Sequence, residues 1–308
     1  MVIDIHYHLF DKTTSNAAMW EDMARLCVAF APPDNPVTFE EARENLVPKM
    51  FDPTGEITVR NLDQWGIDTA AVLVVDNGLA HGEVEMGIEG QNKAVAEAAK
   101  RFPDRLIAFL SVDPRRPNAI ELVERCVNDW GMRGLKCHPD TGWYPDDEAY
   151  YPYWEKIREL GIPVLTHTGP LEPPAVIECV HPDRLDKLAA DFPEITFIAA
   201  HMAFRWYKEL VEVAKKRQNI MMDIAGWQTT AQESYSKFAY ILRKVVDGVG
   251  ADRVIFGTDA PTFSYLYSEK EWVEMVRDLP QRPPEEYRFT REEADAILHG
   301  NAARILGI

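Results

Sequence analysis

From residue 54 onward, short apolar runs rich in β-branched residues alternate with longer amphipathic segments, and this rhythm constrains the fold more than any other feature of the chain. With the opening run included, strands are expected at 1–6, 69–75, 105–112, 134–137, 163–167, 195–200, 220–224 and 254–257. Helical patterns lie between and after them, at 56–65, 87–101, 118–130, 147–160, 182–191, 206–216, 232–249, 269–277 and 291–306. Punctuation supports several of these: Asn118 follows a proline, the acids of "DDEAY" sit in a first turn, and "ELGIP" and "DFPEI" stop helices before strands. Strands that alternate with helices form parallel β-α units, and eight such units close into a barrel. A length of 308 residues suits one barrel with an insertion, so a single domain over 1–308 is expected. The competing open, doubly wound sheet lacks its usual Gly-x-Gly-x-x-Gly after the first strand.

One stretch interrupts the rhythm. Residues 10–53 separate the first strand from its crossover helix and carry helix-like pieces of their own. In a barrel this excursion leaves the C-terminal mouth, where active sites are built, so it is expected to form a lid or substrate wall.

A formal charge of −17, with no Lys/Arg-rich run, argues against a nucleic-acid groove or an anionic membrane surface as partner. No apolar run approaches the 18 residues of a membrane span, and no secretory leader is recognisable. Cys27, Cys126, Cys137 and Cys179 show no Cys-x-x-Cys pair and are dispersed, which suits buried free thiols in a reducing cytoplasm.

The chain opens with "MVIDIHYHLF". On regular strand alternation, Asp4, His6 and His8 share one face, an arrangement suited to a metal. Chance alone supplies a His-x-His pair in such a chain with a probability of roughly 0.2, so the pair needs partners elsewhere. They are found at other strand ends: "PVLTHTG" places His167 after the fifth strand, "TFIAAHM" places His201 after the sixth, and "RVIFGTDAP" places Asp259 after the eighth. In a barrel all of these converge at one mouth. Imidazoles with a carboxylate suit a divalent cation, zinc in the first instance, with manganese or iron as alternatives.

"DIHYH", "RGLKCHP", "PVLTHTG", "HPDRLDKLAADFPEITFIAAHM", "NIMMDIAG", "DRVIFGTDAP" and "GNAARILG" follow one another in an order that resembles the amidohydrolase superfamily over nearly the whole chain. The resemblance is to its amidohydrolase-related (type 2) branch, which includes aminocarboxymuconate semialdehyde decarboxylase, resorcylate-type decarboxylases and predicted metal-dependent hydrolases. It implies a distorted (β/α)8 TIM barrel, with His6, His8, His167 and Asp259 as metal ligands and His201 acting on substrate or water. Family members are often dimers or larger, so a homodimer or higher homo-oligomer is expected.

Such a site activates water at neutral pH, with Asp259 moving the proton and His201 stabilising an oxyanion or shuttling a proton. The expected function is hydrolysis of an amide, ester or lactone bond in a small cyclic or aromatic substrate. Non-oxidative decarboxylation of an aromatic or unsaturated acid is the alternative, although "HMAFRW" departs from the Gly-Glu and proline that typically follow this histidine in decarboxylases. An inactive ligand-binding barrel is the third reading, and the intact ligand set opposes it. Supporting roles are assigned to Asp4, as the acceptor that orients a ligand imidazole, and to Lys136 in "GLKCHP" with His138 beside it. Lys136 is open to three roles: a carboxylated bridge between two ions, a partner of Asp4, or a contact for an anionic substrate. Arg205, Arg25 or Arg43 offers a cation to a carboxylate, and Trp143, Tyr144, Phe204, Trp206, Trp227 and Phe263 are candidates for a flat pocket wall.

Overall fold

A computed structural model describes residues 1–170, 175–282 and 287–308. Eight parallel strands follow the expected rhythm: β1 Ile3–His8, β2 Thr69–Leu73, β3 Leu106–Phe109, β4 Leu135–Cys137, β5 Val164–Thr166, β6 Phe197–Ala199, β7 Ile220–Asp223 and β8 Val254–Ile255. They pair in sequence order as β1-β2-β3 and β4-β5-β6-β7-β8. The two seams are closed by backbone bonds. Leu110 N–H donates to Gly134 at 2.8 Å and Lys136 N–H to Leu110 at 2.7 Å, while Ile5 N–H donates to Phe256 at 3.1 Å and Asp259 N–H to His6 at 2.8 Å. The sheet therefore returns on itself as a (β/α)8 TIM barrel, with the crossover helices packed outside.

Side chains sort into two apolar layers. Ile3, Ile5, Leu73, Phe109, Leu165 and Met221 fill the lumen. The outward residues of the same strands, such as Tyr7, Val72 and Ala108, meet helix residues such as Leu62, Val95 and Leu122. Glycine ends two crossover helices where the backbone must turn left-handed: Gly66 at φ 72° after Glu56–Trp65, and Gly161 at φ 64° after Tyr151–Leu160. The helix expected at 147–160 starts later, because Asp147 caps a short 3₁₀ turn through Ala149 N–H and the α-helix begins only at Tyr151.

Strand β1 extends two residues beyond expectation, and its register against β2 slips between Asp4 and Tyr7. Ile3 and Ile5 face the lumen and Tyr7 packs outward on Trp65, with ring centroids 6.3 Å apart. Regular alternation fails at this point, so His6 turns to the mouth without sharing a face with Asp4.

Residues 10–53 fold back on themselves. Phe10 pairs with Phe51, and Asp52 N–H donates to Phe10 at 2.7 Å, so the excursion ends where it starts. Within it, helix Ala17–Phe30, capped by Asn16, shares an apolar cluster with Leu46, Val47 and Met50. Asp52 then accepts from Gly55 and Thr58 N–H at 3.0 and 2.7 Å, which starts the first crossover helix. Among the described residues no helix is long and apolar enough to cross a membrane. The four cysteines are buried and free.

Candidate metal centre

Every strand-end residue singled out in the sequence lies at the C-terminal mouth of the barrel, and each is held by its own strand or the loop that follows. His6 and His8 end β1, and Asp259 follows β8 in a left-handed conformation, φ 58°. One ligand atom each from His6, His8 and Asp259 falls within 4.8 Å of the others, and all three residues are buried. His8 Nε2 lies 3.0 Å and His6 Nε2 3.4 Å from Asp259 Oδ1. These donors suit a divalent cation: two imidazoles and a carboxylate converge, and water is largely excluded.

A carboxylate from β7, overlooked in the sequence, organises the group. Asp223 Oδ2 sits 3.0 Å from His6 Nδ1, while its Oδ1 accepts the backbone N–H of His201 at 2.7 Å and of Ala225 at 3.1 Å. An acceptor at Nδ1 places the His6 proton there and turns the Nε2 lone pair toward the centre. Asp4, expected in this role, does something else. Its carboxylate accepts from Thr258 Oγ1 at 2.5 Å, Thr258 N–H at 3.1 Å and His6 N–H at 2.9 Å, tying β1 to the end of β8. The register slip in β1 is the reason. The signal for Asp223 was present as the acid closing "NIMMD", the expected seventh strand.

His201 begins an unusual turn. His201, Met202, Ala203 and Phe204 all have positive φ, at 62°, 44°, 55° and 46°, a left-handed run that side chains ordinarily avoid. The run is pinned at several points. Trp227 Nε1 donates to His201 O at 2.6 Å, His201 Nδ1 lies 3.0 Å from Ala225 O, and the Phe204 ring stacks on the imidazole at 4.7 Å with 6° between planes. Gly226 leaves room for this stack, since a Cβ there would come within 2.9 Å of Phe204 Cζ. With its proton committed to Ala225 O, His201 offers Nε2 as an acceptor.

His167 is placed differently from the other expected ligands. Its ring is 5.0 Å from that of His201 and 5.4 Å from that of His138, stacked on the latter, and its buried Nε2 has no hydrogen-bond partner. It faces the same cluster without joining the tight group of His6, His8 and Asp259. His138 Nδ1 lies 3.2 Å from Asp140, and its Nε2 is likewise buried and unpartnered. Unsatisfied imidazole nitrogens at one mouth are what a cation or bound substrate would satisfy.

Lys136, fully buried on β4, places Nζ 2.7 Å from His6 Nε2. Asp4, one partner considered for it, is engaged by Thr258 instead. The amine thus meets the lone pair that a cation at His6 would use, so loading a cation requires it to turn away or to be modified. Burial pushes the Lys136 amine down to about 8. Burial also lowers His8 and His201 to about 4, and takes His6 and His167 well below the ordinary histidine value. Against the upward push of burial, the His8 hydrogen bond and the charges of His201 and His8 hold Asp259 at about 2. At neutral pH the histidines and Asp259 are therefore proton acceptors, beside the Lys136 amine and an Asp223 carboxyl that burial raises to about 7.

A cleft of about 700 Å³ opens over this floor. His8, His138, His167, His201 and Asp259 form its base, and helix Ala17–Phe30 supplies much of one wall. Phe204 and Phe263 line it as expected, whereas Trp143 and Trp227 stand behind it. Their indoles donate to the carbonyls of His138 (3.1 Å) and His201 (2.6 Å), so they support the histidines without facing a ligand. Arg205 is exposed and lies over Trp206, away from the cleft, because the left-handed turn carries it outward. Trp206 itself packs on His181, Tyr144 is exposed beneath Arg184, and Arg43 pairs with Glu44. Of the three arginines considered, Arg25 alone is on the wall, which His81 also lines.

A family model described as Amidohydrolase matches residues 3–308. Over 250 residues the chain is 24% identical to a 2-keto-4-carboxy-3-hexenedioate hydratase of Sphingobium sp., covering 70% of this chain and 69% of that one. Over 222 residues it is 26% identical to a gamma-resorcylate decarboxylase of Rhizobium sp., covering 59% and 67%. Among solved structures, an uncharacterised TIM-barrel protein of Bordetella bronchiseptica superposes with a TM-score of 0.71 at 23% identity, covering 99% of this chain and 98% of that one. A dihydroxybenzoic acid decarboxylase of Polaromonas sp. JS666, with bound manganese and an inhibitor, superposes at 0.68 and 18% identity, covering 99% and 96%. Both structures share the barrel.

Proposed function

The chain belongs to the amidohydrolase family, and from that premise we propose that it is a metal-dependent hydrolase that cleaves an ester, lactone or amide bond in a small cyclic or aromatic substrate. The observation that carries this reading is the convergence of His6, His8 and Asp259 within 4.8 Å beneath the cleft. His6, His8 and Asp259, with His167 from the facing strand, are the proposed ligands. A divalent cation is supported by the family and by the manganese of the Polaromonas decarboxylase. Zinc is proposed because imidazole and carboxylate donors suit it, with manganese and iron as alternatives.

The cation, when bound, supplies a Lewis acid and lowers the pKa of water toward about 7. The protein moves the protons. Asp259, ionised at neutral pH, accepts one from the attacking water and passes it to the leaving group. His201, with Nδ1 committed to Ala225, takes up a proton at Nε2 during turnover; this favours the shuttle role over donation to an oxyanion in the resting state. Asp223 holds His6 and the His201 backbone in place.

Decarboxylation is the second reading, supported by the names of relatives that act on small aromatic acids. It requires a group poised to protonate carbon, and His201 directs its one proton from Nδ1 to Ala225 O, away from the cleft. Residues 1–308 are proposed to act as one domain, with 10–53 as its lid. Four buried free thiols support a cytoplasmic setting. Self-association into a homodimer or larger assembly is proposed and is checked by light scattering.

The test is to incubate metal-loaded protein with a panel of lactones, aryl esters and aromatic acids, following acid release and carbon dioxide together. Acid release without carbon dioxide is expected. Carbon dioxide as the product, or no divalent ion bound after gentle purification and none taken up on addition, overturns the proposal.

A further inference from the structure

The floor of the cleft is polar, and the helix Ala17–Phe30 lays an apolar stripe over it, with Asp22 and Arg25 at its edge. Met23, Leu26 and Phe30, from one face of helix Ala17–Phe30, meet Phe204 and Phe263 across the opening, and Phe30 packs edge-on against Phe263 with centroids 5.2 Å apart. Their spacing is that of a helix presenting one stripe. The charges lining the cleft are mostly negative: Asp22, Asp140 and Asp259 against Arg25. Among the described residues Arg25 is the only Lys or Arg on the wall, and residues 171–174 and 283–286 contain neither. Arg25 is already engaged by acids of its own helix. It is paired with Asp22 at 2.8 Å and Glu21 at 3.7 Å, lies over the Phe39 ring, and is 61% exposed at the rim. Lys136 is fully buried against His6 beneath the floor.

We propose that the cleft selects a substrate whose body beyond the scissile group is uncharged and apolar, an aryl or alkyl ester, lactone or amide, and that Met23, Leu26 and Phe30 set this preference. The inference rests on the hydrolase reading of the same centre. One anionic or polarised oxygen is accommodated at the floor, where the cation would sit. A second carboxylate farther out is disfavoured, because it would be desolvated against methionine, leucine and phenylalanine, with only the rim Arg25, already paired with Asp22, to offset the cost. A body without charge instead gains from leaving water against the same wall.

The test compares two probes with one metal-seeking head: benzohydroxamic acid and its 4-carboxy derivative, titrated calorimetrically into zinc-loaded and zinc-free protein. Binding of both is expected to require zinc, with the uncharged probe tighter by about thirtyfold or more. Leu26→Arg is expected to reduce that ratio severalfold, and Leu26→Met to preserve it. Equal or tighter zinc-dependent binding of the carboxylated probe overturns the inference and leaves the hydrolase reading standing. An unchanged ratio in Leu26→Arg overturns the role given to the helix. Zinc-independent binding, or none, removes the hydrolase reading and this inference with it.

Discussion

At the scale of single residues, the centre depends on which nitrogen of each imidazole is already committed. Asp223 fixes His6, and Ala225 O fixes His201, so both present Nε2 inward. Asp223→Asn is expected to weaken metal binding by about ten- to a hundredfold, as loss of a carboxylate behind a ligand histidine typically does; competition with a chromophoric chelator measures it. His201→Asn is expected to leave the metal content unchanged while turnover falls by about a hundredfold or more, read from kcat and metal analysis of the same sample. Retained turnover would mean that His201 moves no proton. The histidines and Asp259 were legible because each ends a recognisable apolar run. Asp4 was misread because strict alternation was assumed through a strand whose register slips. Asp223 ends an apolar run too, in "NIMMD", but its role lies behind His6 and the His201 backbone, a placement that only the folded chain reveals. Which side chains face the cleft was hidden as well, since it depends on loop geometry: Trp143 and Trp227 lie behind their histidines, and Arg205 is turned away.

At the scale of elements, all eight strands occur where the periodicity placed them, with edges moved by a few residues. The turn from His201 to Phe204 had no counterpart in the sequence reading, because four side-chain-bearing residues in a left-handed run contradict local propensity. Tertiary support maintains it: Trp227, Asp223 and the clearance at Gly226. Gly226→Ala, with φ 82° and a Cβ directed at Phe204, is expected to destabilise the fold by about 2 kcal/mol and to displace the ring from His201. Denaturant unfolding measures the first effect. A crystal structure of the variant showing the stack intact would refute the second.

At the scale of the whole molecule, a charge of −17 surrounds a cleft whose few lining charges are mostly negative. An anionic substrate or inhibitor therefore approaches against a repulsive field, screened over about 30 Å at 10 mM salt and about 10 Å at 100 mM. Its apparent affinity is expected to rise severalfold as salt is increased across that range, while that of a neutral analogue stays nearly constant; steady-state inhibition at several ionic strengths separates the two. Barrel closure also distributes labour by distance along the chain, since the floor draws on residues from 6 to 259 and no single segment contains the chemistry. The wall is different. Because Phe10 and Phe51 stand side by side, the whole excursion between them behaves as a cassette with adjacent ends. A segment of another length or composition spanning the same two points would meet the strand before it and the helix after it at unchanged ends, while contacts made in between, such as Tyr267 Oη donating to Phe30 O at 3.1 Å, would have to be rebuilt.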